Sequence, residues 1–382
     1  MDQTSEKKRE PVRKRDRKGI KYIRTGQGPA AFLFLAAGGL LRALSRLLPG
    51  FALFWREKVN PLLVGSLGRL TGLLPFSLGE VLILSAICLV LVFAAGCLGR
   101  LLTKRGGLLS YAAGGLAFLI TVLSLIFFLW EANEDVYFRA PSFGETYGLL
   151  TEGYSDEDLI RTCLVLTEEI NASAPLVKRD EAGLMVCGED AGDRVIRHMQ
   201  ALGETYPWLS GYYPPPKMVF FSGALSRMHF TGIYSVPTIE ANINADMPPY
   251  QMPFTMAHEL SHLKGVMSEK EANFTGWLAG HRSADPDLRY SSALLGWTYC
   301  GNELGRRDRE AFMEIRSGIC HAALEDLQYN SNYWKGYEGA VSRKTQEVND
   351  FYLKMEGLKE GTASYDMVVD MIVTWMQKAG EI

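Results

Sequence analysis

His258-Glu259-Leu260-Ser261-His262 sits in a stretch with helical character, from Thr255 to the glycine at 265. Side chains four apart on a helix share one face, about one turn or roughly 6 Å apart along the axis. Two imidazoles placed this way can grip one tetrahedral metal ion. The carboxylate that follows the first histidine leans toward the fourth coordination position, where a water can be deprotonated. The chain has six histidines in 382 residues, so chance assembly of the pattern is improbable. The plain alternative is a helix whose two histidines only pack or cap.

The residues after the motif extend the zinc reading. Gly265 suits a helix stop that turns the chain back. Glu269-Lys270-Glu271-Ala272-Asn273-Phe274 then opens a second helix through about Leu278. A catalytic zinc site usually takes a third protein ligand, and a glutamate soon after the turn can supply it. Glu269 and Asn273 are four apart and share a face, so the glutamate could bind while the amide orients a histidine. Glu271 lies roughly 200° around the same helix and is the alternative ligand. Glu269 is preferred; the loser is a solvated acid near a helix start.

Composition divides the chain. Residues 1–25 carry ten Lys or Arg against four acids. Together with the next few residues, to 28, they form a basic arm that cannot bury a core and is expected to be disordered and cytoplasmic. Before apolar spans such a run reads as an orientation signal rather than a nucleic-acid tail. Leu78–Leu98 has one charge near its start and Leu109–Trp130 has none, and each can cross a core of about 30 Å. Ala30–Leu48 contains Arg42 and Arg46, which could snorkel; its alternative is an interfacial helix. The 29–132 region is thus read as three transmembrane helices with an interface-hugging connection at 51–77. Three spans place the arm and the basic 99–108 loop inside and everything after about Asn133 outside. Two spans would put that loop outside, against the positive-inside tendency. The expected location is the plasma membrane, multi-pass, with an extracytoplasmic domain.

Residues 133–382 suffice for one large core. Helices are expected at 155–171, 189–203, 287–304, 309–328, 340–355 and 364–378, with a short strand at Lys217–Phe221. Ile233–Ile243 alternates apolar and polar residues and reads as one half-exposed strand. Its polar residues Glu240, Asn242 and Asn244 would face water, and its edge could take an extended peptide as an added strand. No C-x-x-C spacing supports cysteine ligation of zinc.

Taken together, the spans, Tyr234–Asn244, His258–Gly265 with Glu269–Phe274, Arg289-Tyr290-Ser291, Asn349–Leu353 and Ser364-Tyr365 resemble a bacterial membrane family known as domain of unknown function 3810. The likeness covers nearly the whole chain and implies a zinc-dependent membrane metallopeptidase. Glu269-Lys270-Glu271-Ala272-Asn273 is also similar to the Glu-x-x-Ala-Asp signature of integral-membrane zinc peptidases. That likeness points to Glu269 as third ligand and puts Asn273 where the usual aspartate stands.

The expectation is therefore an α+β, zincin-like metallopeptidase domain behind three transmembrane α-helices. His258, His262 and Glu269 would hold Zn²⁺ and Glu259 would act as general base on a peptide or protein substrate. Tyr365, Tyr290 and His281 are candidates for stabilising the carbonyl oxygen, Tyr365 favoured by its Ser-Tyr context in the resemblance. Two other classes remain: a non-catalytic zinc-fold sensor, and a zinc hydrolase of a non-protein amide such as cell-wall material.

Overall fold

The computed structural model describes residues 27–103, 107–150, 153–355 and 365–382, without the side chains of 349–355 and 365–367. The chain divides into two compact units, residues 1–47 with 81–132, and residues 48–80 with 133–382. The basic arm lies almost wholly outside the described residues.

The first unit contains three long apolar helices, α1 (Gly28–Leu47), α2 (Leu78–Leu102, which begins in the second unit) and α3 (Leu108–Asn133). All three are long and apolar enough to cross a membrane. Helix α1 packs against the second half of α3 and runs in the same direction. Thr121 Oγ1 donates to Gln27 O at 3.2 Å, and Gly38 lies against the Phe127 ring, where a Cβ would be 2.7 Å away. Arg42 pairs with the buried Glu131 at 2.7 Å. Arg42 is thus half of an ion pair, which lowers its cost in an apolar setting.

The second unit is mostly helical with one small sheet. Its elements are the short α4 (Phe143–Tyr147), α5 (Asp156–Ser173), α6 (Ala191–Thr205), β1 (Lys217–Val219), α7 (Ser222–Met228), β2 (Gly232–Ser235) and β3 (Glu240–Asn244). There follow α8 (Met252–His262), α9 (Glu269–Gly280), α10 (Pro286–Arg307), α11 (Arg309–Ser317), α12 (His321–Lys335), α13 (Ala340–Met355) and α14 (Tyr365–Ala379). Ser155 caps α5 through a capping box with Asp158, which is why that helix was legible locally. The single helix expected at 309–328 is two, α11 and α12, broken after Ser317.

The segment 51–77 is not merely a connection between spans. Residues 51–72 form a continuous helical run in which π-turns at Trp55–Val59 and Val64–Gly68 alternate with α-turns. Its buried face recurs every fourth residue at Ala52, Arg56, Asn60, Val64 and Gly68, then at Thr71. In an unbroken α-helix a four-residue repeat drifts by about 40° per step, and the wider π-turns take up that drift. The run packs into the same unit as the His-Glu-x-x-His helix.

The expected strand at 233–243 is a pair of antiparallel strands. The sheet order is β1-β3-β2, with β1 parallel and β2 antiparallel to β3. Ile239, at φ 53°, turns the chain between them. β3 is the central strand and is buried along its whole length, so neither of its edges can accept a peptide. A first core lies among α5, α9, α10 and α14, built on Phe274, Trp277, Leu294 and Ile372. A second joins the sheet, through Ala241 and Ile243, to α6 and to Met256, Ala257 and Leu260 of α8. Helix α8 is therefore held on both sides.

Candidate metal centre

Helix α8 presents His258 and His262 one turn apart, and their Nε2 atoms lie 3.2 Å from each other. Helix α9 brings in Glu269, with Oε2 3.2 Å from His258 Nε2 and Oε1 3.8 Å from His262 Nε2. The turn between the helices is set by Gly265 at φ 81°, where the Tyr137 ring leaves no room for a Cβ. A hydrogen bond between Ser261 Oγ and Thr275 Oγ1 at 2.6 Å fastens α8 to α9. One ligand atom from each of the three residues lies within 4.8 Å of the others.

These separations suit a small cation. Bonds of about 2.0–2.1 Å around a tetrahedral ion place the ligand atoms roughly 3.4 Å apart. Two imidazole nitrogens and a carboxylate at such distances need a shared proton or cation between them. The Val266 carbonyl sits 2.8 Å from His262 Nδ1, so that nitrogen carries the proton and Nε2 is left with its lone pair. Asn273 lies close enough to His258 to favour its charged form.

The electrostatics follow from burial and from the carboxylate. Burial pushes the His262 imidazole down to about 4. His258 moves the other way: burial opposes it, but the Glu269 hydrogen bond and charge hold it above its ordinary value. Burial works against the Glu269 carboxylate too, yet the two histidines pull it down to about 2. Glu259 is pushed up to about 8 by burial, with Glu269 adding to the shift and His258 opposing it. Its Oε2 is buried without a hydrogen-bond partner.

Glu271 is not at this cluster. Its carboxylate accepts hydrogen bonds from Phe143 N at 3.0 Å and Gly144 N at 2.8 Å, closing the start of α4. Of the two glutamates, Glu269 is the one that stands beside the histidines. Tyr290 is fully buried, and its hydroxyl donates to Asp326 at 2.6 Å while accepting from Arg179. His281 is clamped between Glu169 and Glu381, each at 2.8 Å, and its ring stacks on Trp277. Neither group is spare for a substrate carbonyl, because both are consumed by core networks. Tyr365 opens α14, but its side chain lies outside the described residues.

Glu240, Asn242 and Asn244 do not face water. Glu240 accepts from Leu78 N, Gly79 N and Thr238 Oγ1 and pairs with Lys217. Asn242 Nδ2 donates to Ile233 O and Asn244 Nδ2 to Phe230 O. Both β2 and β3 pack against α8, and the strand that meets Glu259 is β2. A Cβ on Gly232 would lie 2.5 Å from Glu259 Oε1, and the Tyr234 ring centre is 6.1 Å from that of His262. A glycine inside a strand is the one local signal that could have pointed there.

Asn60 is another residue that the motif does not reveal. Its Nδ2 donates to Leu263 O at 3.1 Å and its Oδ1 accepts from Tyr137 at 2.9 Å. The run 51–72 thereby braces the end of α8, immediately after His262.

Fold and cluster together define a class: a mostly helical domain with a His-His-Glu cluster on two consecutive helices, joined to apolar helices of membrane-spanning length. Within that class the chain belongs to the family described as protein of unknown function (DUF3810), whose model matches residues 55–373. No curated protein and no solved structure matches the chain.

Proposed function

We propose that this chain is a membrane-anchored zinc metallopeptidase with a zincin-like site. The observation that carries the reading is the convergence of His258, His262 and Glu269 at the separations a tetrahedral ion needs. Beside them stands a buried, incompletely hydrogen-bonded Glu259. A structural zinc site has no use for such a carboxylate.

Zinc bound there would supply Lewis acidity toward a water and a carbonyl oxygen. The chain's own groups supply the rest. His262 is fixed in the tautomer that offers Nε2. Glu259 would take a proton from water and return it to a leaving amine, and a divalent charge bound nearby would favour its ionised form. Among the described residues no strand pairs with the outer edge of β2. Asn244 N donates to Thr231 O, so Thr231, Ile233 and Ser235 face β3. By the antiparallel alternation Gly232 and Tyr234 turn their N–H and C=O outward. That edge, next to Glu259, suits an extended peptide, which favours a peptide bond over other amides. The basic arm orients the protein with the domain outside the cell.

Metal analysis of the purified full chain with a peptide-library digest tests the reading. About one zinc per chain is expected, lost in His258→Ala and His262→Ala. Glu259→Gln should keep the zinc and lose cleavage by about a hundred- to ten-thousandfold. Full zinc occupancy in both histidine variants, or unchanged cleavage by Glu259→Gln, would overturn it.

A further inference from the structure

We propose that the substrates of this site are extended polypeptide segments at the membrane surface, such as the juxtamembrane stretch of a membrane-anchored chain. The inference rests on the peptidase reading and adds the substrate class to it. Strand β2 carries the argument, because its two ends are fixed to different things. At Gly232 the strand lies against Glu259. Three residues on, Ser235 Oγ is 2.7 Å from where a Cβ on Gly79 would stand, and Gly79 is in the first turn of α2. The carboxylate of Glu240, paired with Ser235 across the sheet, accepts from the amides of Leu78 and Gly79 at 3.1 and 2.9 Å. The next residue, Val236, accepts through its carbonyl from Asn133 Nδ2 at 3.2 Å, and Asn133 is the last residue of α3. The far end of β2 is therefore tied to the start of one apolar helix and the end of another. A strand rises about 3.3 Å per residue, so Glu259 stands roughly 10 Å along the strand from that point.

A second observation places the bilayer surface at the same level. Glu80, one residue after Gly79, accepts from Phe220 N at 3.0 Å and Phe221 N at 2.7 Å. The Phe220 ring is 84% exposed and Phe221 50%, with Leu73 at 80% and Phe76 at 47% in the turn that leads into α2. Large apolar side chains gathered on a surface mark a membrane or protein contact. The chain between them enters an apolar helix within a few residues, which selects the bilayer. A substrate added to the edge of β2 runs from above Glu259 toward that surface. An extended chain covers at most about 3.3–3.6 Å per residue, so about three extended residues bridge the roughly 10 Å between Glu259 and that point. Anchoring such a substrate in the same bilayer raises its effective concentration without any new contact.

The test uses the full chain in zinc-supplied nanodiscs. One peptide sequence is offered in soluble form and fused to a transmembrane anchor through flexible spacers of increasing length. Bonds within about ten residues of the bilayer should be cut at least tenfold faster than the same bonds on long spacers or in solution. Equal rates for all forms would overturn the substrate class and leave the peptidase reading standing. A readout independent of cleavage is energy transfer from a fluorophore, introduced as a noncanonical residue at the exposed Ile233, to labelled lipid headgroups. Efficient transfer, from a separation of roughly 20 Å or less, is expected; no transfer would overturn the geometry whatever the site does. Efficient transfer with no cleavage of any form would sink the peptidase reading and the substrate class with it.

Discussion

A carboxyl group enclosed as Glu259 is, with Oε2 lacking a donor, is most stable when neutral. Its pKa in the folded chain, about 8, lies above its ordinary value of 4.5. The stabilisation it lends is thus complete below about pH 4.5 and is lost as pH rises through 8. Glu259→Gln stays neutral throughout. The metal-free variant should melt close to the native protein at pH 5 and several degrees above it at pH 8.5, read by differential scanning calorimetry. A melting difference that does not change with pH would refute this account. The two glutamates of α9 should separate cleanly. Glu269→Gln should lose zinc affinity by tenfold or more while folding normally, whereas Glu271→Gln should keep zinc and lower the melting temperature, since it breaks the bonds to Phe143 and Gly144. Gly232→Ala forces a methyl onto Glu259. It should cut turnover at least tenfold with zinc content unchanged, as expected when a reacting group is displaced by about an ångström.

Helices announce themselves through local signals, and these were readable: the Ser155 capping box, the four-residue histidine spacing, the glycine that ends α8. The run 51–72 was not, because its buried face follows a four-residue period that neither an α-helix nor a strand produces. Only its packing partners make that face visible. Asn60 is where the packing matters most to the site. Asn60→Ala leaves the Leu263 carbonyl and the Tyr137 hydroxyl without their partner, a cost of about 1–3 kcal/mol. A drop of several degrees in melting temperature is expected, and an unchanged one would show that the run does not brace α8. Strand β3 misled for a related reason. Its Glu240, Asn242 and Asn244 alternate with Ala241 and Ile243 as on a wetted strand, yet Glu240 meets the amides of Leu78 and Gly79, Asn244 bonds Ser226 and Phe230, and Asn242 gives its amide to the neighbouring strand at Ile233.

Residues 48–80 and 133–382 fold as one unit, so if α2 and α3 cross a membrane as a hairpin, both stand on one side. Helix α1 runs parallel to the second half of α3, so if it too spans, its N-terminal end lies on the opposite side. A protease-accessible tag inserted at 74–76 and one at the C-terminus should be reached from the same face of intact cells, and an N-terminal tag should not. Finding the 74–76 and C-terminal tags on opposite faces would break the hairpin, and with it the route by which β2 meets the ends of α2 and α3.

The histidine pair His258 and His262, the carboxylate of Glu259 between them and the apolar helices are written in consecutive residues, because helix periodicity and lipid solubility are properties of short segments. For Glu269 against Glu271 the sequence offered a preference, through the face Glu269 shares with Asn273, but not the reason Glu271 is excluded. Both sit in the first turn of one helix, and what separates them is that a distant pair of amides, at Phe143 and Gly144, claims the second carboxylate. The order of the strands, the closeness of Gly232 to Glu259 and the bracing of α8 by Asn60 depend likewise on contacts between residues tens to hundreds of positions apart. No local pattern encodes which buried polar group will find which partner.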